Sequence, residues 1–168
     1  MQVTTLSFQN MHRHGDLFAN ILRARHKTFI EGNNWDLPSA DGMEFDQYDT
    51  PQSRWVAVHE FGQVLAGVRL TPTTAKCGIY SYMIRDAQLG LLDSIPSNLL
   101  DHEAPVAQHI WESSRVFVSD SVPAKLRLRV QIELIQEMVR SARELGATSV
   151  LGLIPAASPR LARRTGID

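Results

Sequence analysis

A single α/β domain, a mixed β-sheet sandwiched by helices, is what this sequence predicts, and three features carry the prediction. Strand-like and helical segments interleave in the order β-α-β-β, short helices, then β-α-β-α. One long amphipathic helix has a proline in its first turn and a glycine at its stop. The composition, 43% hydrophobic and 21% charged over 168 residues, is that of an ordinary globular domain able to bury a substantial core.

Taken along the chain, Val3 to Phe8 alternates and predicts a short first strand. Leu17, Phe18, Ile21, Leu22 and Phe29 recur at helical spacing, so an amphipathic helix is expected from about Gly15 to Ile30. Glu31 to Thr50 is polar, rich in Gly, Asn and Asp, and without periodicity; a loop of that length points to function. Arg54 to His59 and Gln63 to Leu70 read as strands joined by a turn at Glu60-Phe61-Gly62. Between Pro72 and Pro105 the signals are mixed, with short helices expected near Gln88–Leu92 and Ser97–Leu100.

Ile110 to Val118 is the next strand, and a helix follows from about Pro123 to Leu145. Leu128, Ile132, Ile135, Val139 and Ala142 form the stripe expected to face the core. Asp120 or Ser121 can cap its start, and Gly146 suits its stop. Ser149 to Ile154 is a strand, and Ser158-Pro159 opens a last helix. The sequence ends at Asp168, just beyond that helix, where a further strand is expected to complete the sheet.

Several classes are disfavoured. No apolar run approaches the ~20 residues that span a bilayer, and the start lacks the layout of a secretory signal, so no membrane role and a cytoplasmic location are expected. The one cysteine, Cys77, excludes an intrachain disulfide and a Cys-rich metal site. His12-Arg13-His14 reads as a surface segment, so no metal is expected. A net charge of −1 argues against general nucleic-acid binding. The charge is uneven, however. Residues 1–60 hold five Lys/Arg against eight Asp/Glu, and residues 120–168 hold eight against five. The basic end suits an acidic partner or a phosphorylated cofactor; on charge alone, a solvated helix surface is the favoured reading.

The chemistry-bearing residues are dispersed. Trp111-Glu112-Ser113-Ser114-Arg115 opens a strand that continues into Val116-Phe117-Val118. Upstream stand Arg25, Phe29, Trp35, Asp46, Asp49 and Arg69, several of them charges set in apolar runs. Such charges are costly unless paired, so they mark a polar network or a reaction site. Asp46 and Asp49 need cations nearby, and Arg25 and Arg69 are the obvious partners. Glu112 and Arg115 lie three residues apart, and a regular strand would point them to opposite faces. If they share a pocket, a β-bulge is expected between Trp111 and Arg115.

Arg25-xxx-Phe29, Trp35, Asp46-xx-Asp49, Arg69-Leu70-xx-Thr73 and Trp111-Glu112-xx-Arg115, in this order and spacing, resemble the acyl-homoserine lactone synthases. The resemblance covers about residues 20 to 166. It implies a fold similar to N-acetyltransferases and a reaction of S-adenosylmethionine with an acyl thioester. The thioester is carried on acyl carrier protein or, in some members, on coenzyme A. The products are a quorum-sensing lactone, methylthioadenosine and the free thiol, and no cofactor is needed beyond S-adenosylmethionine as substrate.

Within that resemblance, Glu112 is the candidate base for the methionine amine, or an ion-pair partner of a neighbouring arginine. Arg115 holds the acyl group or its developing oxyanion, or acts as a scaffold ion pair. Arg25, Asp46, Asp49 and Arg69 form either an electrostatic cluster for the sulfonium substrate or a structural salt-bridge network. Phe29 fits core packing better than ligand contact, whereas Trp35, in a polar loop, is the stronger ligand candidate. Glu31–Thr50 is then expected to order as a cover over substrate.

An acyl tunnel is expected between Ile110–Val118 and Ser149–Ile154, under the helix that starts at Pro123. Gly152 stands where relatives preferring 3-oxo chains tend to have threonine, which implies an unsubstituted or 3-hydroxy chain and room for length. Lys125, Arg127, Arg129, Arg160, Arg163 and Arg164 are a candidate landing surface for an acidic carrier protein. Two other readings stand beside this one. Another N-acyltransferase is disfavoured because no Arg/Gln-xx-Gly-x-Gly/Ala loop is present. A non-catalytic relative that binds carrier protein or lactone is the second.

Overall fold

The computed structural model describes residues 1–153. In chain order its elements are β1 (Gln2–Leu6), α1 (Leu17–Arg25), β2 (Ser39–Ala40), β3 (Met43–Glu44), β4 (Arg54–Glu60), β5 (Gln63–Pro72), α2 (Met83–Gln88), β6 (Ile110–Val118), α3 (Ala124–Glu144) and β7 (Ser149–Gly152). Five strands form one sheet in the order β1-β4-β5-β6-β7. The first four run antiparallel, and β7 joins β6 in parallel after the α3 crossover. The sheet is therefore mixed, as expected. The predicted helix from Ser158 lies outside the described residues.

Strand alternation divides the core. On β4, Val56 and Val58 point to the α3 side, where they meet Val68, Leu70, Val130 and Leu134. Trp55 and Ala57 point the other way, toward Leu17 and Ile21 of α1. The β4–β5 turn places both Phe61 (φ 49°) and Gly62 (φ 82°) in the left-handed region, the twist a two-residue hairpin requires.

The first predicted helix is real but not uniform. After Arg25 the backbone widens into a π-helical stretch, His26–Gly32, that turns Phe29 inward. The long polar segment after it holds only the two short strands β2 and β3, and its second half is pinned by side-chain ion pairs.

Three expectations fail. No helix forms at Gln88–Leu92 or Ser97–Leu100; the helix of this region is α2, five residues earlier. One carboxylate from elsewhere in the chain, Glu112, holds its first N–H groups, a signal absent from local periodicity. On α3, the buried row is Val130, Leu134, Ser141 and Ala142, while Leu128 is exposed and Ile132, Ile135 and Val139 are half-buried. Polar groups caused the error, because Thr5 Oγ1 is 2.6 Å from Ser141 Oγ and donates to Glu137 Oε1 at 3.0 Å. Core-facing polar residues hid the true face from a purely apolar count. The N-cap is Pro123, without a side-chain cap from Asp120 or Ser121.

Candidate active site

The charged residues singled out in the sequence converge on the α1 side of the sheet. Arg25, only 1% exposed, donates from Nε to Glu44 at 2.5 Å and grips Asp49 with both terminal nitrogens, at 2.7 and 2.9 Å. Arg69, equally buried on β5, grips Asp46 in the same two-pronged way and donates from Nε to Ser114 Oγ at 3.1 Å. Arg115 donates to Glu44 at 3.2 Å and reaches Asp46 at 2.9 Å. Trp55 Nε1 completes the set by donating to Asp49 at 2.9 Å.

Three guanidinium groups thus alternate with three carboxylates, each shared. Burial alone would push the Asp49 carboxyl upward, but Arg69 and Arg25 outweigh it and hold Asp49 well below the usual carboxylate range. Burial would likewise lower Arg69, and Asp46 with Asp49 instead raise it. Charge-assisted, two-pronged bonds of this kind offset the desolvation of buried ions only when every member is satisfied.

Glu44 was missed in the sequence. It is fully buried and bridges Arg25 to Arg115. No count of charges revealed it, since Asp46, Asp49 and Glu112 already balanced Arg25, Arg69 and Arg115. Glu112 instead accepts backbone N–H groups, and Glu44 takes the third place among the arginines.

The bulge exists. β5 and β6 pair regularly from Pro72↔Trp111 to Arg69↔Ser114, then slip, so that Val68 faces the two residues Arg115 and Val116. Arg115 takes φ 54°, and its break lies at the C-terminal edge of the predicted window. One slip resets the alternation. Trp111 packs on the α3 side, whereas Phe117, six residues on, packs on the α1 side. Gly67 makes room for it, because a Cβ there would lie 2.8 Å from the Phe117 ring.

Glu112 sits on the α1 side with Ser114, 1% exposed. Its two oxygens accept the backbone N–H groups of Met83 at 3.0 Å and Ile84 at 2.8 Å, at the start of α2. Burial pushes the carboxyl up to about 7, against the pull of those two N–H groups and of Arg69. Arg115 Nη1 lies 3.8 Å from Met83 Sδ, so Glu112 and Arg115 meet at Met83 from two sides.

Phe29 is buried in the core and stacks on Trp35, with ring centroids 5.0 Å apart. The Arg115 guanidinium lies 5.8 Å over Phe29. Trp35 remains half-exposed, the one aromatic of the pair with an open face. Gly152 pairs with Ser113 across β6 and β7, where a Cβ would lie 2.5 Å from Ser113 Oγ. Lys125 is exposed in the first turn of α3, and Arg127 and Arg129 reach Asp120 and Glu133 at 3.7 and 4.0 Å. Arg160, Arg163 and Arg164 lie outside the described residues. A hollow of about 660 Å³ near His14, His59 and Glu60 occupies the far end of β4 and touches none of the network. Among the described residues, no group of three His, Cys, Asp or Glu is placed to hold a metal, and no helix is long and apolar enough to cross a membrane.

The model of the family described as autoinducer synthase matches residues 8–168. The chain belongs to that family. Among its relatives, the acyl-homoserine-lactone synthase of Vibrio anguillarum is 28% identical over 153 residues, 89% of this chain and 73% of the relative. The crystal structure of TofI in a ternary complex with an inhibitor and MTA superposes with a TM-score of 0.74 at 26% identity, covering 98% of this chain and 78% of that one. BjaI, a CoA-dependent acyl-homoserine lactone synthase solved with SAM and isopentyl-CoA, shares the fold at a TM-score of 0.75 and 23% identity, over 98% of this chain and 71% of that one. This autoinducer synthase thus has the α/β architecture that its residues implied.

Proposed function

We propose that this chain makes an acyl-homoserine lactone from S-adenosylmethionine and an acyl thioester, with Glu112 as the base. The observation that carries the reading is a buried carboxylate pushed up to about 7, set beside a closed ring of arginines and acids. A carboxylate of that proton affinity is ionised in part at neutral pH and still takes a proton readily.

The amine loses its proton to Glu112 and its nitrogen attacks the thioester carbonyl. The carbon–sulfur bond of the thioester then breaks, and the thiol leaves. In the second step the substrate's carboxylate oxygen attacks the carbon bearing the sulfonium, and methylthioadenosine departs with the electron pair of that bond. Arg25, Arg69, Asp46 and Asp49 shape the sulfonium site, and Trp35 offers its open face to adenine or the sulfonium. Arg115, whose donors already hold Glu44 and Asp46, acts through the position of those acids.

The acyl chain runs on the α3 side, past Gly152 and Ser113; the expected room beside the glycine is taken by the Ser113 hydroxyl, which a Cβ at 152 would meet at 2.5 Å. The donor is carried on acyl carrier protein or coenzyme A; BjaI holds SAM and isopentyl-CoA together. Lys125 with Arg160, Arg163 and Arg164 docks an acidic carrier, and reversal of the three arginine charges then slows the carrier-linked reaction at low salt. We place the enzyme in the cytoplasm, as one domain.

Incubation with S-adenosylmethionine and a panel of acyl-carrier and acyl-coenzyme A donors, followed by mass spectrometry, tests the reading. Lactone and methylthioadenosine in equal amounts are expected. Thiol release without methylthioadenosine would instead mark another N-acyltransferase.

A further inference from the structure

Glu112 is held by two N–H groups, and the helix turn that presents them is held by a second carboxylate. Asp86 is fully buried. One oxygen accepts the Tyr48 hydroxyl at 2.8 Å and the Ser81 N–H at 2.9 Å; the other accepts the Ser81 hydroxyl at 2.5 Å. Ser81 and Tyr82 lead into α2, and the next two residues, Met83 and Ile84, are the donors to Glu112. Tyr48 stands between Asp46 and Asp49, donates its own N–H to Asp46 at 2.9 Å, and lies with its ring 5.6 Å beneath the Arg69 guanidinium. Asp86 therefore touches the acidic loop at one end and the start of α2 at the other.

A helix of six residues has little cooperativity of its own to fix its first turn, and Tyr82 at its N-cap makes no side-chain cap bond. The short helical ladder alone does not fix the direction of those N–H groups. The bonds that Asp86, a residue of α2 itself, makes to Ser81 and to Tyr48 tie the turn to the rest of the fold. We propose that Asp86 is a positioning residue for Glu112, clamping the start of α2 to the Asp46–Asp49 loop so that the Met83 and Ile84 N–H groups stay aimed at the carboxylate. The functional meaning of that clamp rests on Glu112 being the base of the reaction.

The consequence for protonation has a definite sign. The two N–H groups pull the Glu112 carboxyl down against burial, so loosening them raises it. Arg69 on β5 also pulls it down, and Asp46 on the acidic loop pushes it up. The Tyr48 and Tyr82 phenols face it as neutral groups, and Arg115 on its own strand is engaged by Glu44 and Asp46. Losing the negative charge of Asp86 would by itself lower Glu112. A rise therefore reads lost donors and not lost charge.

The test is a titration of the Glu112 side chain by carbon NMR, in protein labelled at the glutamate carboxyl carbon and assigned with Glu112→Gln. Wild type, Asp86→Asn and Tyr48→Phe are compared. Tyr48→Phe keeps every charge and the ring beneath Arg69, removing only the hydroxyl bond. The expected midpoint in Asp86→Asn is about one pH unit above wild type, a tenfold change in proton affinity. Tyr48→Phe gives a smaller rise of the same sign, and the acid limb of the pH–rate profile moves with both. A midpoint that falls or stays put in the folded variants overturns the proposal, even with activity reduced. If Asp86→Asn does not fold, Tyr48→Phe decides alone. A wild type that releases no methylthioadenosine would remove the proposed function and leave this titration interpretable.

Discussion

On the α3 side of the sheet, Val56, Val58, Val68 and Leu70 meet Val130 and Leu134, and the packing is apolar. On the α1 side the same two strands carry Trp55, Arg69 and Thr71, all buried, and the neighbours of Arg69 are carboxylates and a serine hydroxyl. The first face gains from every methylene removed from water and is indifferent to fine direction. It even tolerates a buried donor without a partner, Trp111 Nε1. The second face starts from a large desolvation cost, which only complete pairing offsets. Its arrangement is correspondingly specific, and it is the face on which a carboxylate keeps a proton affinity useful at neutral pH.

Substitutions on the two faces should therefore separate chemistry from stability. The largest effect is expected from Glu112→Gln, which keeps the shape and an acceptor for α2 but removes the base. Methylthioadenosine release should fall by about 10²–10⁴-fold with little change in melting temperature. If the rate survives, the α1 side is scaffold and the contrast collapses to packing.

Glu44→Ala comes next. It strands Arg25 and Arg115 together, and breaking a buried pair costs about 3–5 kcal/mol, read from denaturant unfolding. Leu134→Ala on the opposite face should cost about 2–3 kcal/mol by the cavity it leaves, while the rate per folded molecule stays at the wild-type value.

The smallest effect is a pH dependence that belongs to the α1 face, where two buried carboxylates act with opposite sign and the apolar face contributes nothing. Asp49 is held below its ordinary value, so its contribution to stability is present above about pH 4 and is lost as pH falls further. Glu112 is raised to about 7, so its contribution is full below about pH 4.5 and is lost as pH rises through about 7. Melting temperature should peak between these limits, and Glu112→Gln should flatten the alkaline fall alone.

How much of this was legible in the chain differs by element. The strands Arg54–Glu60, Gln63–Pro72 and Ile110–Val118 announce themselves because alternation and apolar runs are local. The dispersed motif, read as a resemblance, led to the family that the family model then matched. The six charged positions were visible as costs that had to be met. Who meets whom was not, because Glu44, Tyr48 and Asp86 are ordinary polar residues until the chain folds over them.

By itself, then, the sequence determined the layer order, the mixed sheet and the need for a charge-balanced site, since these follow from periodicity and from the expense of burying ions. Only the tertiary structure decided which acid holds which arginine, where α2 begins, and which face of α3 is buried. Those depend on partners tens of residues away, and on one inserted residue at Arg115 that exchanges the faces of everything after it on β6.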